Sequence, residues 1–162
     1  MKKVIVIGCP GSGKSTFSKA LSEKTDIPLY HLDLLYWNAD RTTVSHELFL
    51  KRLTSVLEED KWIIDGNYAS TMEMRLQACD TVFFLDYPTS VCLEGVEQRK
   101  GKPRADLPWP DTENDEAFLE LIKNYATDSR PIVLSLLKKY PDKEQYVFQD
   151  RAEATAYLKT IK

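Results

Sequence analysis

A nine-residue stretch near the N-terminus has the residue types and the spacing that bind a polyphosphate. Residues 8–16 read GCPGSGKST and fit the pattern G-x-x-x-x-G-K-[ST] of a phosphate-binding loop. The glycines of such a loop let successive backbone N–H groups turn inward around phosphate oxygens. We expect Lys14 to reach the β- and γ-phosphates and the Ser15 hydroxyl to ligate Mg²⁺. The expected nucleotide-binding residues in this stretch are Gly8, Pro10, Gly11, Ser12, Gly13, Lys14, Ser15 and Thr16.

The flanks of this stretch are those that a phosphate-binding loop requires. Residues 2–7 place an unbroken apolar run after two lysines, which favours a parallel strand buried on both faces. Residues 16–24 predict a helix, whose N-terminus would add free N–H groups and the positive end of its dipole. The alternative, a chance glycine-rich turn, explains neither flank.

Further short strands alternate with helices along the rest of the chain. The predicted strands cover residues 29–32, 61–64, 81–85 and 145–148. The predicted helices cover 45–59, 70–76, a segment from 88 or 89, 115–125, 131–140 and a segment after 150. Two of them open with the capping-box spacing, Ser70-x-x-Glu73 and Asp150-x-x-Glu153. This alternation predicts an α/β fold with a parallel sheet and helices on both faces.

An aspartate follows three of the predicted strands. In open α/β sheets, ligands bind outside the carboxyl ends of the strands. Asp33 and Asp65 are therefore expected at the edge where the nucleotide must lie. Asp86 precedes Tyr87 and Pro88 and is interpreted as a turn residue.

Composition narrows the class of protein. A chain of 162 residues predicts one domain. Its net charge of −3 and its lack of clustered cations argue against direct nucleic-acid binding. Its apolar runs are too short to span a bilayer, so we expect no membrane association. Three scattered cysteines do not form a disulfide framework or a zinc site, and we expect a cytoplasmic protein.

Motifs over nearly the whole chain resemble the nucleoside-monophosphate-kinase group, to which adenylate kinase and shikimate kinase belong. They are the phosphate loop, a strand ending in Asp65-Gly66, a cationic tract after the fourth strand and an arginine beyond it. The chain is more closely similar to bacterial topology modulation proteins, which are adenylate-kinase-related P-loop proteins. The matching stretches are 31–37, 62–68, 75–76, 80–88 and 130–131.

This resemblance implies a fold and a phosphate donor. The expected fold is a P-loop NTPase three-layer α/β/α sandwich, with a five-stranded parallel sheet in the order 2-3-1-4-5. Residues 1–162 would form one kinase-like domain, and residues 99–130 a helical or loop lid within it. ATP with Mg²⁺ would be the donor, and the lid would close over the phosphates. Residues 101–113 lack the Gly- and Cys-rich pattern expected of close relatives.

The resemblance also implies roles on the donor side. Arg99 and Arg104 in the lid would cover the adenine or the phosphates, and Arg130 would approach the γ-phosphate on closure. The alternative is that these cations only solvate a loop. Asp65 would hold Mg²⁺ through water, or would merely cap the turn at Gly66. Lys14, Asp33, Arg99 and Arg130 are the expected catalytic residues.

Four residues are candidates for binding the phosphate acceptor. Asp33 could orient an alcohol and accept its proton, or bind sugar hydroxyls or metal waters if the acceptor is a monophosphate. Tyr36 and Trp37 could stack on a ring, or pack against the sheet. Arg75 follows Asp-Gly, where adenylate kinase has an arginine for the acceptor phosphate, although at a longer spacing. His31 is interpreted as structural, because strand alternation points it away from Asp33.

These features predict a function. We expect ATP- and Mg²⁺-dependent phosphoryl transfer to a small-molecule acceptor, with a nucleoside or nucleotide favoured, by a monomer or homodimer. One alternative is a regulatory nucleotide-binding protein that affects DNA topology indirectly. Another is an NTPase switch that hydrolyses slowly without an acceptor.

Overall fold

The computed structural model describes residues 1–102, 105–108 and 116–162. Within them it contains five strands and eight helices. The strands are β1 (Lys3–Gly8), β2 (Leu29–His31), β3 (Trp62–Asp65), β4 (Thr81–Leu85) and β5 (Glu144–Phe148). The helices are α1 (Lys14–Thr25), α2 (Leu32–Tyr36), α3 (His46–Leu57), α4 (Ala69–Ala78), α5 (Thr89–Arg99), α6 (Glu116–Asp128), α7 (Arg130–Lys139) and α8 (Arg151–Thr160).

The strands form one sheet in the order β2-β3-β1-β4-β5, and all neighbours are parallel. The expected order is therefore confirmed. The central strand β1 pairs Val6 with Asp65 of β3 and Gly8 with Leu85 of β4. Because parallel strands share one carboxyl edge, the loop after β1 lies beside the ends of β3 and β4.

Helices cover both faces of the sheet. Val4 and Val6 of β1 pack in a core cluster that includes residues of α1, α5, α6 and α8. Ile5 and Ile7 point to the opposite face, where residues of α3, α4 and α7 cover them. All four side chains are fully buried. A strand buried on both faces reads as an unbroken apolar run, and for this reason the sequence around β1 does not alternate.

The two predicted capping boxes have different outcomes. Asp150 caps α8 by accepting a hydrogen bond from Glu153 N at 2.9 Å, and Glu153 in turn accepts one from Gln149 N at 2.6 Å. The box at Ser70 and Glu73 is wrong. Helix α4 begins one residue earlier, after Tyr68, and Glu73 accepts from the hydroxyl of Tyr140 at 2.7 Å instead.

The second half of the expected lid is part of the packed domain. Ile122 and Tyr125 of α6 lie in the same core cluster as Cys9 of the phosphate loop. The first half contains Arg104, which lies outside the described residues. Closure of a lid over residues 99–130 stays a prediction. Of the helices in the described ranges, none has the length and apolar character needed to cross a membrane.

Candidate nucleotide site

The phosphate loop follows β1 and has a shape that only glycine permits at two positions. Gly11 and Gly13 have φ angles of 87° and 94°, in the left-handed region. A Cβ on Gly11 would also lie 2.0 Å from the carbonyl oxygen of Cys92 in α5. The loop therefore turns tightly while it packs directly on the backbone of α5.

Lys14 folds back onto the loop. Its Nζ donates hydrogen bonds to the carbonyl oxygens of Gly8 at 2.9 Å and Cys9 at 3.3 Å. Burial lowers the pKa of the Lys14 ammonium, and the carboxylates of Asp65 and Asp33 partly oppose this shift. A buried cation held by neutral carbonyls gains from an incoming anion, and a polyphosphate supplies one.

Asn67 fixes the junction between β1 and the loop, a role that we did not derive from the sequence. Its side-chain Oδ1 accepts a hydrogen bond from Gly8 N at 3.2 Å, and its Nδ2 donates to Gly8 O at 2.7 Å. The amide thus pairs with both backbone groups of one residue. Gly8 O, which also accepts from Lys14, is held in place by the turn that follows β3.

Asp65 and His31 form a close pair at the carboxyl edge of the sheet. His31 Nδ1 lies 2.7 Å from Asp65 Oδ2, and the Asp65 side chain is only 7% exposed. Burial alone would lower the pKa of His31, but the hydrogen bond and charge of Asp65 outweigh it and raise the pKa. Strand β2 pairs His31 with Asp65 across the sheet, and this register brings the two side chains together at the carboxyl edge.

Asp33 is held by Tyr68. Strand β2 ends at His31, so Asp33 lies in the first turn of α2, where the Tyr68 hydroxyl donates a hydrogen bond to its Oδ1. Burial raises the pKa of the Asp33 carboxyl, while the bond from Tyr68 and the charge of Lys14 act in the opposite direction. Burial and the nearby Asp33 raise the pKa of Tyr68 as well. Tyr68 is a second residue whose part in the site we did not predict.

Aromatic packing accounts for Tyr36. Its ring centroid lies 5.2 Å from those of Phe49 and Tyr68 and 5.5 Å from that of Trp37. This edge-to-face cluster supports the packing alternative for Tyr36. Trp37 lies at its margin and is half-buried.

Arg75 has its hydrogen-bond partners inside the protein. The side chain is fully buried. Its guanidinium donates to Gly66 O at 3.1 Å, to Tyr68 O at 3.2 Å and also to Asn67 O, and burial lowers its pKa to about 10. Arg75 therefore holds the turn after β3, and its expected contact with an acceptor stays a prediction.

Arg130 and Asp86 form a two-pronged ion pair. Arg130 Nε lies 2.8 Å from Asp86 Oδ1, and Nη2 lies 2.9 Å from Oδ2. The pair raises the pKa of Arg130. Asp86 is thus more than the turn residue that we expected: it engages the arginine that was predicted to approach the γ-phosphate.

A cavity of about 550 Å³ opens above the phosphate loop. Gly11, Gly13, Ser15 and Thr16 line its base. Its walls include His31, Gln98, Arg99, Lys102, Asp106 and Arg151. This volume falls in the range of small-molecule sites. Arg99 lies at the same cavity as the loop, and its role toward the nucleotide stays a prediction. The lining residues do not include Lys14, Asp33, Asp65, Arg75 or Arg130.

The residues at the base of this cavity fit a polyphosphate with Mg²⁺. Ser12 Oγ is buried inside the loop and has no hydrogen-bond partner among the described residues. No group of three or more His, Cys, Asp or Glu side chains suited to a metal occurs in the described part of the chain. Mg²⁺ needs none, because it takes one or two protein oxygens and completes its shell with phosphates and water. Ser15 and Asp65 would supply these oxygens.

The fold is similar to that of solved shikimate kinases. The enzyme from Bacteroides thetaiotaomicron matches with a TM-score of 0.59 and 20% sequence identity, over 97% of this chain and 94% of that chain. The enzyme from Acinetobacter baumannii, solved in complex with shikimate, matches with a TM-score of 0.65 and 14% identity, over 99% and 90%. No protein-family model matches the chain, and no curated protein matches it. These likenesses confirm the P-loop α/β fold.

Proposed function

We propose that this protein is a P-loop kinase that transfers the γ-phosphoryl group of ATP to a hydroxyl group of a small molecule. The observation that carries the proposal is the phosphate loop at the base of a cavity, with Asp33 and Asp65 at the same edge of the sheet. The likeness to shikimate kinases supports it, because those proteins combine this fold with a small-molecule acceptor.

On the donor side, the loop and the start of α1 bind the phosphates. The N–H groups of residues 11–16 face the polyphosphate, and Thr16 contributes its hydroxyl near the α-phosphate. Arg99 lies at the cavity beside them. Ser15, and Asp65 through water, would hold Mg²⁺, which would supply neutralisation of the phosphate charge.

Lys14 changes partners when the nucleotide binds. Its Nζ leaves the carbonyls of Gly8 and Cys9 and turns toward the transferring phosphoryl group. Gly8 O keeps its hydrogen bond from Asn67 during this change, at 2.7 Å in the structure. The loop thus retains its shape while the cation moves.

On the acceptor side, Asp33 orients the hydroxyl and accepts its proton. Tyr68 fixes one carboxylate oxygen, so the carboxylate has a defined direction. Its raised pKa makes it a better base than an ordinary aspartate. Trp37 at the margin of the aromatic cluster would contact the acceptor ring.

The engaged arginines favour an uncharged acceptor. Arg75 is committed to three backbone carbonyls, and Arg130 to Asp86. Of the arginines in the described ranges, Arg75 is the one that we had expected at an acceptor phosphate, whereas Arg99 and Arg130 were expected at the donor phosphates. We therefore favour a nucleoside or another neutral alcohol over a nucleoside monophosphate. For Arg130 to act on the γ-phosphate, it has to leave Asp86 when the site closes.

The test is ADP formation from ATP and Mg²⁺, with a panel of nucleosides, nucleoside monophosphates, shikimate and small polyols. We expect ADP formation to depend on an alcohol, with a phosphorylated product identified by mass spectrometry. ATP binding without any acceptor-dependent turnover would contradict the kinase and would point to a regulatory nucleotide-binding protein. Transfer only to monophosphates, or only to shikimate with its carboxylate, would keep the kinase and overturn the uncharged acceptor.

A further inference from the structure

Arg151 reaches the phosphate loop from the opposite end of the chain. It is the first residue of α8, and Asp150 caps that helix in front of it. Its Nη1 donates a hydrogen bond to Ser12 O at 2.9 Å, and its Nη2 donates to Gly11 O at 3.1 Å. The two prongs of one guanidinium thus hold two consecutive carbonyls of the loop.

The surroundings of this contact leave room for a guanidinium. A Cβ on Gly13 would lie 2.9 Å from Arg151 Nη1, and a Cβ on Gly95 would lie 2.8 Å from Nη2. The guanidinium carbon also lies 5.6 Å from the centre of the Tyr87 ring, at cation–π distance. Two glycines and an aromatic ring therefore define the position of the guanidinium.

The chemistry of the loop explains why these carbonyls need a donor. When successive N–H groups turn toward a phosphate, the carbonyls of the same peptides point away from it. Those carbonyls require partners of their own, because an unpaired backbone oxygen in a packed region is costly. A planar guanidinium supplies two parallel donors at a fixed spacing, which a lysine ammonium does not.

We propose that Arg151 is a positioning residue, which holds the carbonyls of Gly11 and Ser12 outward so that the loop N–H groups face the phosphates. This inference rests on the proposed nucleotide binding. Arg151 also lines the cavity, so a direct contact with the nucleoside part of ATP is the competing explanation. If Arg151 positions the loop, loss of its side chain weakens binding of the phosphates. If it contacts the nucleoside, the loss weakens binding of that part of ATP alone.

The experiment compares Arg151→Met and Arg151→Lys with the wild type. The probes are ATP and inorganic tripolyphosphate, each with Mg²⁺, and calorimetry gives their dissociation constants. We expect Arg151→Met to weaken both probes by the same factor, about tenfold, because it removes two charge-assisted hydrogen bonds from the loop. Arg151→Lys keeps the charge but not the fork and should be intermediate. Lys159→Met, an exposed change on the same helix with the same loss of charge, is the control and should bind both probes normally.

A second measurement needs no ligand. Hydrogen exchange of the amides of residues 12–15 should be faster in Arg151→Met than in the wild type, with the rest of the sheet unchanged. If Arg151→Met does not fold, Arg151→Lys provides the same comparison.

A loss of ATP affinity without a loss of tripolyphosphate affinity would overturn the positioning role in favour of direct contact with the nucleoside. Unchanged binding and unchanged exchange would overturn it as well. If the wild type binds neither probe, the proposed function fails, and faster exchange at the loop in Arg151→Met would still establish the hold of Arg151 on it.

Discussion

The phosphate loop takes its binding groups from one continuous stretch of chain, whereas the proposed acceptor side collects side chains from several elements. Residues 8–16 offer backbone N–H groups, one lysine and hydroxyls, and two glycines set the turn. The acceptor side combines Asp33 of α2 with Tyr68 and Trp37, and its binding groups are side chains. The positions of backbone groups change little when the sequence varies, but the orientation of a side chain depends on the residues that contact it.

The two regions also differ in how their charged groups are held. Among the described residues, the hydrogen-bond partners of Lys14 Nζ are two neutral carbonyls, at 2.9 and 3.3 Å, which compete weakly with a phosphate. Asp33 and Arg130 are each held by a polar or charged protein partner, and Arg75 by three carbonyls. Lys14 can therefore exchange partners at little cost when a phosphate arrives, whereas Arg130 has to leave a carboxylate. The following substitutions test this contrast.

Lys14→Ala should have the largest effect. It removes the one side chain that the loop directs at the transferring phosphoryl group, and we expect turnover of ATP to fall at least about 10³-fold. The fold should persist, because Asn67 still holds Gly8. Steady-state ADP formation and thermal unfolding measure the two effects. Lys24→Ala, an exposed change in the last turn of α1, is the matched control. Near-normal turnover in folded Lys14→Ala protein would show that Lys14 does not act on the transferring phosphoryl group.

Arg75→Met should act on stability and not on the acceptor. Met keeps the apolar stem but leaves the carbonyls of residues 66–68 without their donor, which we expect to cost about 3 kcal/mol of unfolding free energy. Urea unfolding measures this cost. Arg52→Met, which removes one hydrogen bond to Leu35 O, is the control and should cost about 1 kcal/mol. A rise in the KM of the acceptor, with the free energy of unfolding unchanged, would show that Arg75 binds the acceptor.

Asp33→Asn should slow transfer while ATP still binds. Loss of the proposed base is expected to lower acceptor-dependent kcat about 10²-fold and to leave the Kd of ATP unchanged. A base acts in its ionised form, so activity is lost as pH falls through its pKa. Since burial raises the pKa of Asp33, this loss should begin at a higher pH than for an ordinary aspartate. In Asp33→Asn, the fall in activity on the acidic side of the pH profile should be absent.

Exposed Asp40→Asn is the control for this substitution. If Asp33→Asn raises the KM of the acceptor and leaves kcat unchanged, Asp33 binds the acceptor and is not the base.

The features that the sequence predicts well are those carried by neighbouring residues. The strands are short apolar runs, and the phosphate loop is a contiguous motif, so both could be predicted at about their observed bounds. The sheet order came from the family resemblance, because spacing alone does not order parallel strands.

The errors concern contacts between distant parts of the chain. Glu73 looked like half of a capping box, but its partner is Tyr140, and α4 begins after the turn that Arg75 braces. Asp86 meets Arg130 from 44 residues away, and Arg151 meets Ser12 from 139. Such pairs depend on how helices pack on the sheet, and no local pattern predicts them. The hydrogen-bond partner of a side chain could be predicted only where it is a backbone group a few residues away, as for Asp150 and Glu153 N.

Asp86→Asn should have the smallest effect and tests whether Arg130 has to exchange partners. The Arg130 side chain is 42% exposed, so the ion pair should contribute at most about 1 kcal/mol to stability. Turnover should rise a few-fold, because Arg130 no longer has to leave a carboxylate to reach the phosphoryl group. Arg130→Met, which removes the cation, should instead lower turnover. If Asp86→Asn lowers turnover as far as Arg130→Met does, then Asp86 orients the arginine. Lys14 and Arg130 would in that case both be in place before the nucleotide binds.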